Sequence, residues 1–265
     1  MKPISEIPGS DLRNVRAVLT DIDDTLTLHG QLPSIAYHAL EQLHNAGIKV
    51  IPITGRPAGW CDLVARLWPV DAVVGENGAF YFRHDRQAKK MQRVYAQDLS
   101  TRQKNSKRLQ VIAAEVLKRF PGTAIASDQA YREIDVAVDF CEDVAPLPLA
   151  KAQEIAAYFE KAGAVAKVSS IHVNAWFGDH DKQSMSFQLL DDLFGWSKEQ
   201  ATESVAYCGD SPNDAPMFAC FPMGIGVANI RPLLHLMPHH PAYVTEEEGG
   251  GGFAAFTDLL LAARR

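Results

Sequence analysis

Four side chains able to do chemistry follow short apolar runs: Asp21 and Asp23 after Val15–Thr20, Thr54 after Ile48–Ile53, and Asp210 after Ser204–Cys208. Each run reads as a buried parallel strand, and open α/β sheets bind ligands at the carboxyl ends of such strands. Carboxylates gathered at one edge repel, by about 4 kcal/mol per pair at ~4 Å with an effective dielectric near ~20. A cation must offset that repulsion. No His/Cys spacing suits zinc, so the cluster favours a hard cation, and phosphate chemistry favours magnesium. Lys182 opens an amphipathic helix, where its charge opposes the helix dipole; an anionic ligand would account for it.

Each feature has a plainer reading. Asp21 and Asp23 can cap a helix or close an Asx-turn, Thr54 can be an N-cap, and Gly209–Asp214 can be a turn. Their placement at one sheet edge is what favours a shared pocket. The elements that would put them there alternate strand and helix from Val15 to about Arg83 and again from Lys182 to the C-terminus. That cadence predicts a doubly wound parallel α/β sheet, Rossmann-like. Between these stretches the cadence is lost. A long polar helix over 101–120 and a helix near 151–161 accompany two alternating strands, Tyr131–Phe140 and Ser170–Phe177. In the second strand Ile171, Val173 and Phe177 share one face and His172, Asn174 and Trp176 the other. We expect residues 1–83 and 179–265 to form a core and 84–178 an inserted α+β domain. The Glu246–Gly252 tract lacks the Gly-Lys-Ser/Thr of a P-loop and reads as a mobile loop.

The 265 residues carry a net charge of −6, with a pI near 5.8, so nothing in the charge suggests nucleic-acid binding. The four cysteines form no CxxC pair, which fits reduced thiols rather than a zinc or disulfide framework. Neither a signal peptide nor an apolar run of membrane-spanning length is visible, so a cytoplasmic protein is expected. The sequence leaves the oligomeric state open.

Asp21-Ile22-Asp23-Asp24-Thr25, Thr54-Gly55-Arg56, Lys182 and Gly209-Asp210-Ser211-Pro212-Asn213-Asp214 resemble the four motifs of haloacid dehalogenase superfamily phosphatases. Gly75–Ala79 (GENGA) and the large insert are similar to the type IIB capped branch, which includes sucrose-phosphate, trehalose-phosphate and mannosyl-3-phosphoglycerate phosphatases and phosphomannomutase. Asp24 departs from the pattern, which most often has Gly there. The resemblance implies a Mg²⁺-dependent phosphatase acting on a small phosphorylated metabolite, with sugar phosphates foremost. It makes Asp21 the nucleophile and Asp23 the acid and base. Asp21, the Asp23 carbonyl and Asp210 would hold the metal; Thr54, Gly55, Arg56, Lys182 and Asn213 would hold the phosphate; Asp214 would orient Lys182 or the metal's waters.

The insert can supply further contacts. His172, Asn174 and Trp176 can close over a substrate, or be a polar surface strand, and Asn77 can touch substrate or only make the hinge turn. Glu133 and Asp135 read more simply as solvated. A phosphomutase would use the same aspartyl-phosphate, and a receiver-like signalling module would store it without turnover.

Overall fold

A computed structural model describes residues 1–169 and 171–264. The chain opens with β1 (Lys2–Pro3), α1 (Gly9–Asn14), β2 (Ala17–Thr20), α2 (Ser34–Asn45), β3 (Lys49–Pro52) and α3 (Ala58–Leu67). Strands β4 (Val73–Gly75), β5 (Phe80–Asp85) and β6 (Lys90–Tyr95) follow, then α4 (Leu99–Arg119), β7 (Ala124–Ile125) and β8 (Val136–Asp139). Next come α5 (Leu149–Lys161), β9 (Val165–Val168), β10 (His172–Trp176), α6 (Lys182–Phe194), α7 (Lys198–Ser204) and β11 (Val205–Gly209). Helix α8 (Ala215–Cys220), β12 (Met223–Gly226), β13 (Tyr243–Val244) and α9 (Gly249–Ala262) complete the described chain.

A parallel sheet of order β1-β13-β12-β11-β2-β3 forms the centre. Strand β2 lies between β11 and β3, with Ala17 opposite both Val205 and Lys49. Every residue of β2 is buried, as expected of a strand covered on both faces. Its alternation sorts the two faces. Val18 joins Val50, Leu40, Leu43 and Phe256 in one apolar cluster; Leu19 joins Ile51, Tyr207, Met185 and Leu189 in another. Helices α2, α3 and α9 therefore cover one side, and α6 with α8 the other. This is the doubly wound arrangement the strand-helix cadence predicts.

The antiparallel sheet β7-β8-β10-β9 forms the cap. Val136, Val138, Val173 and Ala175 pack with Leu109, Val116, Ile155 and Phe159 of α4 and α5, leaving the opposite sheet face toward the core. The remaining sheet, β4-β5-β6, continues past residue 84 and has its own antiparallel ladder. Phe80 and Phe82 of β5 belong to the core's apolar cluster, so the elements of the cap sheet start only at α4.

Two expectations need correction. Residues 131–135 are not strand, because Ser127–Tyr131 forms a 3₁₀ turn and β8 begins at Val136. Likewise β10 starts at His172, and Ser170 lies outside the described residues. The glycine tract is no loop: Gly249–Gly252 form the first turn of α9. A Cβ on Gly250 would sit 2.6 Å from the Leu26 carbonyl and 2.8 Å from the Ala36 Cβ. The glycines let α9 press against the loop after β2 and against α2, a packing reason that outweighs their poor helix propensity.

Candidate active site

The loop after β2 places Asp21 and Asp23 at the sheet's carboxyl edge, where Asp21 N–H donates to the Cys208 carbonyl of β11 at 2.9 Å. From β11, Asp210 accepts a 3.1 Å hydrogen bond from Thr25 Oγ1, which ties the two acidic loops together. Carboxylate oxygens of Asp21, Asp210 and Asp214 all lie within 4.8 Å of one another, and all three residues are buried. Lys182 Nζ donates to Asp21 Oδ1 at 2.6 Å and to Asp214 Oδ1 at 2.9 Å.

Lys182 is the first residue of α6. Asp181 caps that helix by accepting from Ser184 N–H at 2.7 Å, so helix entry fixes the Lys182 backbone. The turn Glu76–Gly78, in which all three residues have positive φ, presses on the same point. A Cβ on Gly78 would lie 2.0 Å from the Asp181 carbonyl oxygen; only glycine permits this approach.

Burial pushes the Asp21 carboxyl up, to about 8, with Asp214 and Asp23 adding to the rise and Lys182 opposing it. Burial, then Asp214 and Asp21, push Asp210 up as well. Lys182 stays charged because Asp21 and Asp214 outweigh its own burial. One ammonium among three buried carboxylates leaves excess negative charge, and all ligands are oxygens. These residues therefore fit a hard divalent cation such as Mg²⁺. Asp214 is already engaged, since Lys182, Tyr207 Oη and the Asp210 and Ser211 N–H groups all donate to it. Asp21 and Asp210 remain as the carboxylate ligands.

Arg56 dominates the other side of the cavity. Its Nε lies 3.0 and 3.1 Å from the Asp23 oxygens and its Nη2 2.8 Å from Oδ1. Nη2 also donates to Glu142 of the cap at 3.0 Å, and the guanidinium stacks 4.4 Å over Trp60. His172 Nε2 lies 2.9 Å from Glu142 Oε2. The His172 ring and Arg56 together hold Glu142 down at about 2.

Arg132 and Glu76 also join cap to core. Arg132 donates from Nη1 to the Gly55 carbonyl at 2.9 Å and pairs with Asp135 and Asp128. Glu76 is fully buried. It accepts from the N–H groups of Ala58, Glu133, Ile134 and Asp135 at 2.7–3.0 Å. Burial and Asp135 push its carboxyl up, to about 8, against Arg132 and the backbone donors; because every partner donates, the carboxylate is the form this geometry satisfies.

Residues 18–121 match the haloacid dehalogenase-like hydrolase family, a span that carries both Asp21 and Thr54. Over these residues the chain is similar to haloacid dehalogenase-like hydrolases. Curated protein sequences give no match to it. Among solved structures, a Thermoplasma acidophilum protein aligns with a TM-score of 0.68 at 16% identity, covering 93% of this chain and 98% of its own. The sucrose-phosphatase from Synechocystis, solved with sucrose and phosphate, gives 0.63 at 16% identity over 92% and 97%. A sugar phosphatase of subclass IIB gives 0.64 at 16% identity over 94% and 100%. At such identities the likeness is one of fold, and it extends through the cap.

In the protein, a cavity of about 20 Å³ is lined by Asp21, Asp23, Gly55, Arg56, Asp210 and Asn213, and from the cap by His172 and Asn174. Thr54 is buried beside it, its Oγ1 accepting from Arg56 N–H at 3.0 Å. Asn77 packs on Gly55, and its Nδ2 has no hydrogen-bond partner among the described residues. Three placements differ from expectation. Arg56 sits on Asp23 and Glu142, because three acidic groups surround its guanidinium. Trp176 is 1% exposed and packs in the core cluster, its Nε1 donating to the His180 carbonyl; it does not line the cavity. Asp135 is buried on Arg132 and Asn174, not solvated. By alternation in the sequence Arg132 falls on the same face as Ile134 and Val136, and a charge on an apolar face is the one local sign of its role. Glu142 lies in a turn, with no periodicity to mark it.

Proposed function

We propose that this protein is a Mg²⁺-dependent phosphatase that cleaves a small phosphorylated metabolite through an aspartyl-phosphate on Asp21. The observation that carries the reading is Lys182 Nζ between Asp21 and Asp214, with Asp210 in the same buried cluster. Phosphate monoesters are among the slowest esters to hydrolyse unaided, and a held nucleophile, an acid and a charge clamp are what they require.

In this reading Asp21 attacks phosphorus in line, forming an O–P bond as the bond to the alcohol oxygen breaks. Asp23 delivers a proton to the leaving alkoxide and then takes one from the water that hydrolyses the phosphoenzyme. Lys182, Thr54 and the Gly55 amide hold the phosphoryl oxygens as charge redistributes. Asp214 keeps Lys182 in place, and Arg56 orients Asp23. Asp21, the Asp23 carbonyl and Asp210 would hold Mg²⁺, which neutralises charge and aligns the phosphoryl group when bound.

Sugar phosphates are the first class to assay, because the solved proteins of this fold include the sucrose-phosphatase and the subclass IIB sugar phosphatase. The test is phosphate release from a panel of phosphorylated metabolites with and without Mg²⁺, using Asp21→Asn as control. Metal-independent release, or release that survives Asp21→Asn, would remove the reading.

A further inference from the structure

A second cavity begins where the first ends. The space above Asp21 is about 20 Å³, room for little more than the reacting group. Asp23 and Arg56 also border a groove of about 590 Å³ that runs along α3, within the size range of small-molecule sites. Its walls are Leu32, Trp60, Leu63, Val64 and Trp68 of the core, with Tyr131 of the cap. Among the described residues, its charged groups are Asp23, Arg56 and Glu142, at the inner end. Trp60, Leu63 and Tyr131 are 43%, 52% and 59% exposed, so large apolar side chains lie open to solvent beside a reactive centre.

Chemistry decides what such a groove can take. A carboxylate that protonates the leaving oxygen must lie within hydrogen-bond reach of it. The alcohol therefore departs on the side of Asp23, the side on which the groove opens. Apolar and aromatic walls reward an apolar occupant and give sugar hydroxyls few partners. A sugar would suit the groove only through an apolar substituent.

We infer that the groove along α3 binds the alcohol part of the substrate, and that this alcohol carries an aromatic or alkyl portion a few bonds from the phosphoester. The inference rests on the phosphatase reading and names the kind of alcohol.

The test compares ethyl phosphate, 2-phenylethyl phosphate and glucose 6-phosphate with the Mg²⁺-loaded full-length protein. The first two share leaving-group chemistry and differ by the ring. The expected kcat/KM for 2-phenylethyl phosphate is at least tenfold above that for each of the others, mostly through KM. Leu63→Asp, at an exposed position, should cost 2-phenylethyl phosphate at least tenfold more than it costs ethyl phosphate, and Leu63→Phe should restore the preference. Equal kcat/KM for the two alkyl phosphates, or equal losses in Leu63→Asp, would overturn the inference while leaving the phosphatase intact. So would sedimentation showing that Leu63→Asp splits a dimer with the substrate ratio unchanged, since a second copy would then cover the groove. No turnover of any of these esters or of an aryl phosphate would remove the phosphatase reading and the groove's role with it.

Discussion

Arg56 grips the Asp23 carboxylate with two nitrogens, Nε at 3.0 Å and Nη2 at 2.8 Å from the same oxygen. The same guanidinium reaches Glu142 of the cap, so one side chain links the proposed proton carrier to the domain above it. Arg56→Lys keeps the charge and loses the planar fork. We expect kcat to fall about tenfold or more, by the scale of a displaced acid-base group, with KM for a small aryl phosphate changed less. Steady-state kinetics separates the two; a KM effect alone would assign Arg56 to phosphate binding.

Removing the nucleophile is more severe. Asp21→Asn is expected to abolish Mg²⁺-dependent hydrolysis of an aryl phosphate, and Asp23→Asn to slow it at least ~100-fold. Phosphoenzyme should be trapped on the protein with Asp23→Asn and not with Asp21→Asn, as mass spectrometry would read directly.

Asp24 has φ +56, a conformation that glycine adopts freely and aspartate tolerates better than most side chains. The departure from glycine is thus accommodated by the backbone. Asp24→Gly should leave stability within about 0.5 kcal/mol, whereas Asp24→Ala should cost about 1 kcal/mol. Thermal melting of the pair checks this.

Glu76 satisfies donors on both sides of the cap junction. Glu76→Gln replaces an acceptor oxygen by a donor facing N–H groups, and should destabilise the protein by about 3 kcal/mol. Hydrogen exchange at residues 133–135 should quicken at the same time. Unchanged protection there would mean that the cap is held by other contacts.

Asp21 has a folded-state pKa near 8 against an ordinary 3.8, raised chiefly by burial, and Asp210 is shifted the same way. A carboxyl raised on folding favours the folded state at low pH. That contribution is present below about pH 4 and is lost as pH rises toward 8. The metal-free protein should therefore lose stability over this window, and the rise in Tm on adding Mg²⁺ should be larger at pH 8 than at pH 6. Calorimetry with and without the metal measures it.

The core was legible because its strands are apolar runs ending in polar residues, and the sheet edge follows from that pattern alone. Asp21, Asp23, Thr54, Lys182 and Asp210 come together as their positions after strands and at a helix start imply. The junction was not legible. Arg132 and Glu142 act through pairings 77 and 86 residues away in sequence, and local periodicity carries no information about such partners. The Gly249–Gly252 turn misled for a related reason: propensity describes a segment alone, whereas Leu26 and Ala36 decide what fits beside it. Trp176 shares its strand face with His172 and Asn174, but face assignment does not say where along the strand the cavity stops.

The pairing of β2 with β11 has a consequence for how the protein is made. Ala17 faces Val205, so the whole cap sequence is synthesised before β2 gains its second neighbour. Until then β2 has an open edge, the kind that invites association with other chains. Such distant pairing is slow to find. The acidic cluster, built from the ends of these same two strands, exists only once that search has ended.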